Sequence, residues 1–127
     1  MSTRTVTNVI LDCLTTAPVI NVVNEGILKT DRLYNMSLYC IYDRVDADGA
    51  GDIYVYGSID GTTATRYLIG FAPTLTGTRD TDGKLSFTSN LTIVLEVPGV
   101  HPYVHVTWTE TTDATTFIAR LIGTEYL

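Results

Sequence analysis

Charge is scarce in this chain: Asp, Glu, Lys and Arg together make up only 17% of its 127 residues. Cysteine and histidine occur twice each and tryptophan once. No apolar run is long enough to span a bilayer, and no apolar stripe at helical spacing lasts three turns. Each shortage excludes something. The eight basic residues (Arg4, Lys29, Arg32, Arg44, Arg66, Arg79, Lys84 and Arg120) form no cluster, and the net charge is −6. Phosphate neutralisation needs clustered Lys and Arg, so direct binding of nucleic acid is not expected. An acidic surface likewise disfavours anionic membranes. Met1-Ser2-Thr3-Arg4 opens no secretory apolar segment, so the expected place of synthesis and residence is the cytoplasm. Cys13 and Cys40 both sit in apolar segments and read as small buried hydrophobes, with a disulfide between them left open.

What the chain does have is β-forming material. Hydrophobic residues make up 45% and threonine is the commonest residue. Thr, Val, Ile and Tyr fit pleated, half-buried surfaces because their stiff or broad side chains pack across strands. The length suits one domain over 1–127, able to bury about two-thirds of its unfolded surface.

Strand follows strand, punctuated by Gly, Asp and Pro. Thr5–Leu11 opens the series, and Val19–Val23 is expected to end in a turn at Asn24-Glu25-Gly26. Asn24–Leu33 has room for one helical turn. Tyr34–Tyr42 alternates, with Met36, Leu38 and Cys40 on one face, and Ile53–Tyr56 follows the Asp46–Asp52 loop. Thr65–Phe71 is mixed, Ala72–Gly83 is loop-like and Leu85–Thr88 is short. Leu91–Val97, Tyr103–Trp108 and Phe117–Leu121 then alternate most cleanly and are expected at the centre of the core. About eight short strands, each with one face to bury, predict an all-β fold, an antiparallel β-sandwich or a barrel.

Some strands have no polar side. Tyr39 and Ile41, Tyr54 and Tyr56, and Ile118 and Ile122 fall on the faces opposite the core. Such residues mark an oligomer or docking interface, or else lie under loops; the pattern leaves both readings open.

The candidates for chemistry fail on spacing or context. Asp46-x-Asp48-Gly49-x-Gly51-Asp52 has the carboxylates of a calcium loop. With Gly49 in the sixth place, however, Arg44 falls first and Val55 twelfth, where an acidic or amide ligand and a bidentate Glu are needed. His101 and His105 are four residues apart on a strand, about 13 Å, too far to share a zinc ion. Gly57-Ser58-Ile59-Asp60-Gly61 sets a serine between glycines, but it is not Gly-x-Ser-x-Gly and does not run from strand to helix. No pair of carboxylates stands out for glycoside hydrolysis, and Asn35-Met36-Ser37 and Asn90-Leu91-Thr92 match the glycosylation pattern by chance. No catalytic, cofactor or metal residue is assigned, and no enzyme activity is expected.

The segment Ile53-Tyr54-Val55-Tyr56-Gly57-Ser58-Ile59-Asp60-Gly61-Thr62-Thr63 resembles the strand and Gly-Ser-x-Asp-Gly-Thr turn of small β-sandwich proteins from tailed bacteriophage particles. The Tyr103–Trp108 strand, the Thr-rich turn at Glu110–Thr115 and the closing Phe117–Gly123 strand are similar to that group's ending. The resemblance covers mainly the second half of the chain. It implies a jelly-roll-like sandwich of the capsid decoration (cement) type, often a homotrimer, with the major capsid protein as partner and the capsid exterior as location. Residues 1–8 would serve such a protein as an arm, or form an ordinary first strand. The alternative is a tail- or fibre-associated module that binds another virion protein, or carbohydrate on Tyr54, Tyr56 or Trp108.

Overall fold

Alternation of apolar and polar residues carries most of the sequence directly into strands. The computed structural model describes residues 2–14, 22–44, 48–69, 78–79, 84–112 and 115–126. These form ten strands: β1 (Thr3–Leu14), β2 (Val23–Lys29), β3 (Leu33–Arg44), β4 (Ala50–Ser58), β5 (Tyr67–Leu68), β6 (Thr78–Arg79), β7 (Leu85–Phe87), β8 (Leu91–Val97), β9 (Tyr103–Thr112) and β10 (Thr115–Tyr126). A single 3-10 turn at Thr63–Thr65 precedes β5. The count exceeds the expected eight because β5 and β6, two residues each, arise in the stretch read as mixed or loop-like.

All the pairings are antiparallel and follow one scheme. β1 pairs with β10, β2 with β9, β3 with β8 and β4 with β7. The chain is therefore a long hairpin folded on itself. Two further pairings, β10 with β3 and β9 with β4, roll that hairpin into two sheets. One sheet has the order β1-β10-β3-β8 and the other β2-β9-β4-β7-β6, with β5 beside β4. This strand order makes the sandwich a jelly roll. β9 and β10 are interior strands of their sheets, as their clean alternation implied, whereas β8, which alternates as cleanly, is an edge strand. Residues 3–8 lie within β1 and pair along β10, as an ordinary first strand.

The inner faces meet over a single core. β3 contributes Met36, Leu38, Cys40 and Tyr42; β4 Ile53 and Val55; β8 Ile93, Leu95 and Val97; β9 Val104, Val106 and Trp108; and β10 Phe117, Ala119 and Leu121. Each large side chain so buried contributes about 1.5–3 kcal/mol relative to exposure. Trp108 stacks on Phe117 with ring centroids 4.1 Å apart and planes 3° from parallel. Tyr42 and Phe87 lean on the same indole at 5.1 and 5.7 Å. Gly51 lies against that indole, where a β-carbon would overlap the ring.

Three expectations change. Asn24-Glu25-Gly26 is not a turn, nor Asn24–Leu33 a helical turn: β2 runs straight through Val23–Lys29. Its glycine serves a close approach between sheets, because a β-carbon at Gly26 would collide with the Ile10 carbonyl of β1. Glu110, read as part of a turn, is a buried residue of β9. Cys13 and Cys40 are not joined by a disulfide, and Cys13, expected to be buried, is only half-buried; β10 separates their strands. Two strand spacings come to about 9–10 Å, beyond the reach of a disulfide. The strand expected over Val19–Val23 is described only from residue 22, and residues 45–47 and 70–77 lie outside the described residues.

Candidate docking face and a buried polar latch

The outward apolar residues of the two sheets meet different fates. On the β2-β9-β4 side, Tyr54 and Tyr56 stack at 6.0 Å, and the Arg66 guanidinium sits 4.1 Å over the Tyr56 ring. Arg66 belongs to the segment 59–66 that follows β4, which folds back over this face. The Gly-Ser-x-Asp-Gly-Thr turn explains why. Gly61 adopts φ 80°, a left-handed conformation that glycine enters without strain. Asp60 Oδ1 accepts hydrogen bonds from the Thr62 amide (3.1 Å), the Thr62 hydroxyl (2.8 Å) and the Thr65 hydroxyl (2.5 Å). Those donors, the Thr65 hydroxyl first, hold the Asp60 carboxyl well below its usual range, at about 2.

The folded turn is fastened to the sheet by side chains far apart in sequence. Ser58 Oγ lies 2.7 Å from His105 Nε2 and accepts the Gly61 amide at 3.0 Å. Glu25 on β2 accepts the Thr63 hydroxyl at 2.5 Å and pairs with the Arg66 guanidinium. Glu25 Oε2 is also 3.4 Å from His105 Nδ1. The β4–β9 register places Tyr56 opposite His105, so Ser58 is its diagonal neighbour on the same outward face.

Glu25, Ser58 and His105 thus have the connectivity of a nucleophile, base and orienting carboxylate. Ser58 and His105 are each fully buried, however, and Glu25 is engaged by the turn. What the cluster does is hold residues 59–66 against the sheet. No motif spacing announced it; the one sequence signal was a histidine on the outward side of a strand.

Burial opposes the charge of Glu25. The Thr63 hydrogen bond, the charge and hydrogen bond of Arg66, and His105 together outweigh it, so its pKa falls below the ordinary value near 4.5. A depressed folded-state pKa contributes stability that is present above the unfolded value and lost as pH falls through the folded one. Glu25→Gln is therefore expected to cost about 1.5–3 kcal/mol at pH 7. It should also flatten the loss of stability as pH falls below about 5. Urea unfolding of both proteins at pH 7 and pH 3.5 checks this; equal pH slopes would refute it.

His101 is apart from this cluster. Its Nδ1 is 2.8 Å from the Tyr67 hydroxyl and its Nε2 2.8 Å from the Pro98 carbonyl. Of the acidic loop, Asp52 accepts the Ser86 hydroxyl at 2.6 Å, while Asp46 lies outside the described residues. Trp108 is fully buried and Tyr56 lies under Arg66, so Tyr54, Tyr56 and Trp108 do not form an open stacking platform for sugars.

The outward face of the β1-β10-β3-β8 sheet differs. Its register aligns Val9, Arg120, Tyr39 and Val94 in one row across the strands, Asp12, Ile118, Ile41 and Thr92 in a second, and Thr7, Ile122, Ser37 and Glu96 in a third. Val9 and Val94 are 55% and 50% exposed, while Tyr39, Ile41, Ile118 and Ile122 are half-buried by one another. Among the described residues, no element folds across these rows. From strand spacing and rise, the grid of twelve positions covers roughly 400 Å². Six of them are apolar and adjoin one another, with Arg120, Asp12 and Glu96 among the rest, and apolar side chains gathered on an open face mark an interaction site.

No protein-family model matches the chain, and no curated protein matches it in sequence. Among solved structures it is similar to the VP2 subviral particle of infectious bursal disease virus, with a TM-score of 0.33 and 14% identity over 98% of this chain and 42% of that one. The chain therefore spans less than half the length of that protein. At this distance the likeness adds nothing to the fold, which rests on its own strand pairing.

Proposed function

We propose that this chain is a structural component of a virus particle that works by docking, and that its docking surface is the outward face of β1-β10-β3-β8. The apolar residues of this face carry the reading: Val9 and Val94 are exposed, Tyr39, Ile41, Ile118 and Ile122 are half-buried by one another, and no described element folds across them. On the opposite sheet the latched turn covers Tyr56 and leaves Val23 and Ile27 exposed along β2. A low-charge jelly roll with such a face is suited to bury it against other subunits. The sequence resemblance to phage capsid decoration proteins supports the finer form of the proposal. In that form the chain sits on the exterior of an assembled shell, contacts the major capsid protein and associates as a homotrimer.

The test uses the purified chain and undecorated shells assembled from the major capsid protein of the same genome. The wild-type protein is expected to co-sediment with the shells, raise their temperature of disruption and show a trimer mass by sedimentation velocity. Ile41→Lys places a charge beside Ile118 on the docking face and should weaken shell binding at least about 10-fold, a loss of about 1.4 kcal/mol. Circular dichroism and urea unfolding verify that the variant remains folded. Absence of wild-type co-sedimentation, or unchanged binding by both Ile41→Lys and Val94→Lys, would overturn the proposal.

A further inference from the structure

At one end of the same sheet the backbone departs from regular pairing. The β10–β3 register shifts between Ile122 and Thr124, opposite the start of β3. Asn35 sits in this irregularity with φ 50°, a left-handed conformation that asparagine tolerates better than most residues. A bulge re-aims side chains. Here Tyr34, Asn35 and Ser37, which strict alternation would divide between two faces, line the same groove. The opposite wall is the turn between β8 and β9, where Pro98, Gly99 and Val100 follow one another and Gly99 takes φ 84°. Val94 and Glu96 of β8 complete the groove, whose volume is about 670 Å³, within the range of about 300–1,000 Å³ typical of ligand sites.

We infer that this groove binds a neutral carbohydrate. Its lining holds no Lys, Arg or His, and with Glu96 present a phosphate or acidic sugar would meet repulsion. Glu96 accepts hydrogen bonds, while Asn35 and Ser37 both donate and accept, the mixture that hydroxyl pairs on a sugar ring require. Val94 and Val100 supply apolar contact for a ring's C–H face. Tyr34 is braced from behind by Tyr126, with ring centroids 4.7 Å apart and planes at 21°, so its orientation is set before a ligand arrives. A quaternary ammonium would leave Asn35 and Ser37 unused, and one ring is not an aromatic cage.

The groove shares Ser37, Val94 and Glu96 with the docking face, so shell and sugar would compete for it, but binding of the sugar needs no shell. The experiment is therefore done on the free chain, and its failure leaves the docking proposal untouched. Amide spectra of the full chain are recorded during titration with maltotriose, cellotriose, mannotriose and chitotriose, with sialyllactose and choline as anionic and cationic probes. At least one neutral trisaccharide is expected to shift the amides of Ser37, Glu96 and Val100 saturably at millimolar concentration. Tyr34→Ala and Glu96→Gln should each weaken that binding about 10-fold. Glu96 is exposed, so the glutamine variant keeps the test valid if loss of Tyr34 disturbs the fold. No shifts with any trisaccharide, shifts confined to other residues, preference for sialyllactose or choline, or undiminished binding by Glu96→Gln would overturn the inference.

Discussion

Trp108→Ala is expected to lower the stability of this protein by about 3–5 kcal/mol, out of a total of about 5–15 kcal/mol for a domain of this kind. The indole is fully buried and lies among Phe117, Tyr42 and Phe87. These neighbours come from β10, β3 and β7, so the ring joins both sheets. Gly51 on β4 has no side chain with which to fill the space, and paired strands resist collapse into it, so most of the cavity persists. Trp108→Phe is expected to cost much less. The indole Nε1 has no hydrogen-bond partner among the described residues, so a phenyl ring gives up area but no polar contact. Urea unfolding should show the alanine variant's midpoint falling sharply at an unchanged m-value. A loss below about 1 kcal/mol would mean that the surrounding rings close over the vacancy.

Gly26→Ala is expected to destabilise by about 3 kcal/mol or more, beyond ordinary overpacking at about 1–3 kcal/mol. A methyl group there would run into the Ile10 carbonyl carbon and oxygen, which are backbone atoms without rotamers to change. Relief requires β1 and β2 to separate at the corner where the two sheets approach. Ile10 lies between Val9 and Leu11, where the β1–β10 register is already irregular, so the strain falls on a segment with little regular pairing to absorb it. Calorimetric melting checks this, with Gly123→Ala as the comparison: its added carbon would meet only side-chain atoms of Leu33 and Met36, at 3.2–3.4 Å. Equal losses in the two variants would show that the β1–β2 corner has room to move.

These two positions show what the sequence makes legible. Trp108 ends a segment that alternation places at the centre of the core, where it shares a strand face with Val104 and Val106, and period-two alternation is a local property. Gly26 was misread because a glycine beside Asn24 and Glu25 has the composition of a turn. The close approach that requires it comes from another strand. The open face was half legible: Tyr39, Ile41, Ile118 and Ile122 stood out as apolar on the wrong side. Only the register shows that they form one patch, while Tyr56 lies under Arg66. The latch left one trace in the sequence, a histidine on the outward side of a strand. Glu25, Ser58 and His105 come from three strands, and their meeting depends on strand order, which alternation does not encode. The Gly-Ser-x-Asp-Gly-Thr segment was recognised by likeness, and its physical meaning is a turn organised around the Asp60 carboxylate.

The rolled-hairpin pairing also dictates when the molecule can form. β10 is made after the other nine described strands, yet it lies inside its sheet, between β1 and β3. During synthesis, β1 has no strand partner until β10 emerges from the ribosome, and β2 waits almost as long for β9. Such non-local pairing makes folding slow, because loop closure must precede the contacts that reward it. The nascent chain therefore carries β1 and β2 unpaired until β9 and β10 are made, and those two strands decide whether β1 and β2 pair within the chain or with a neighbouring one.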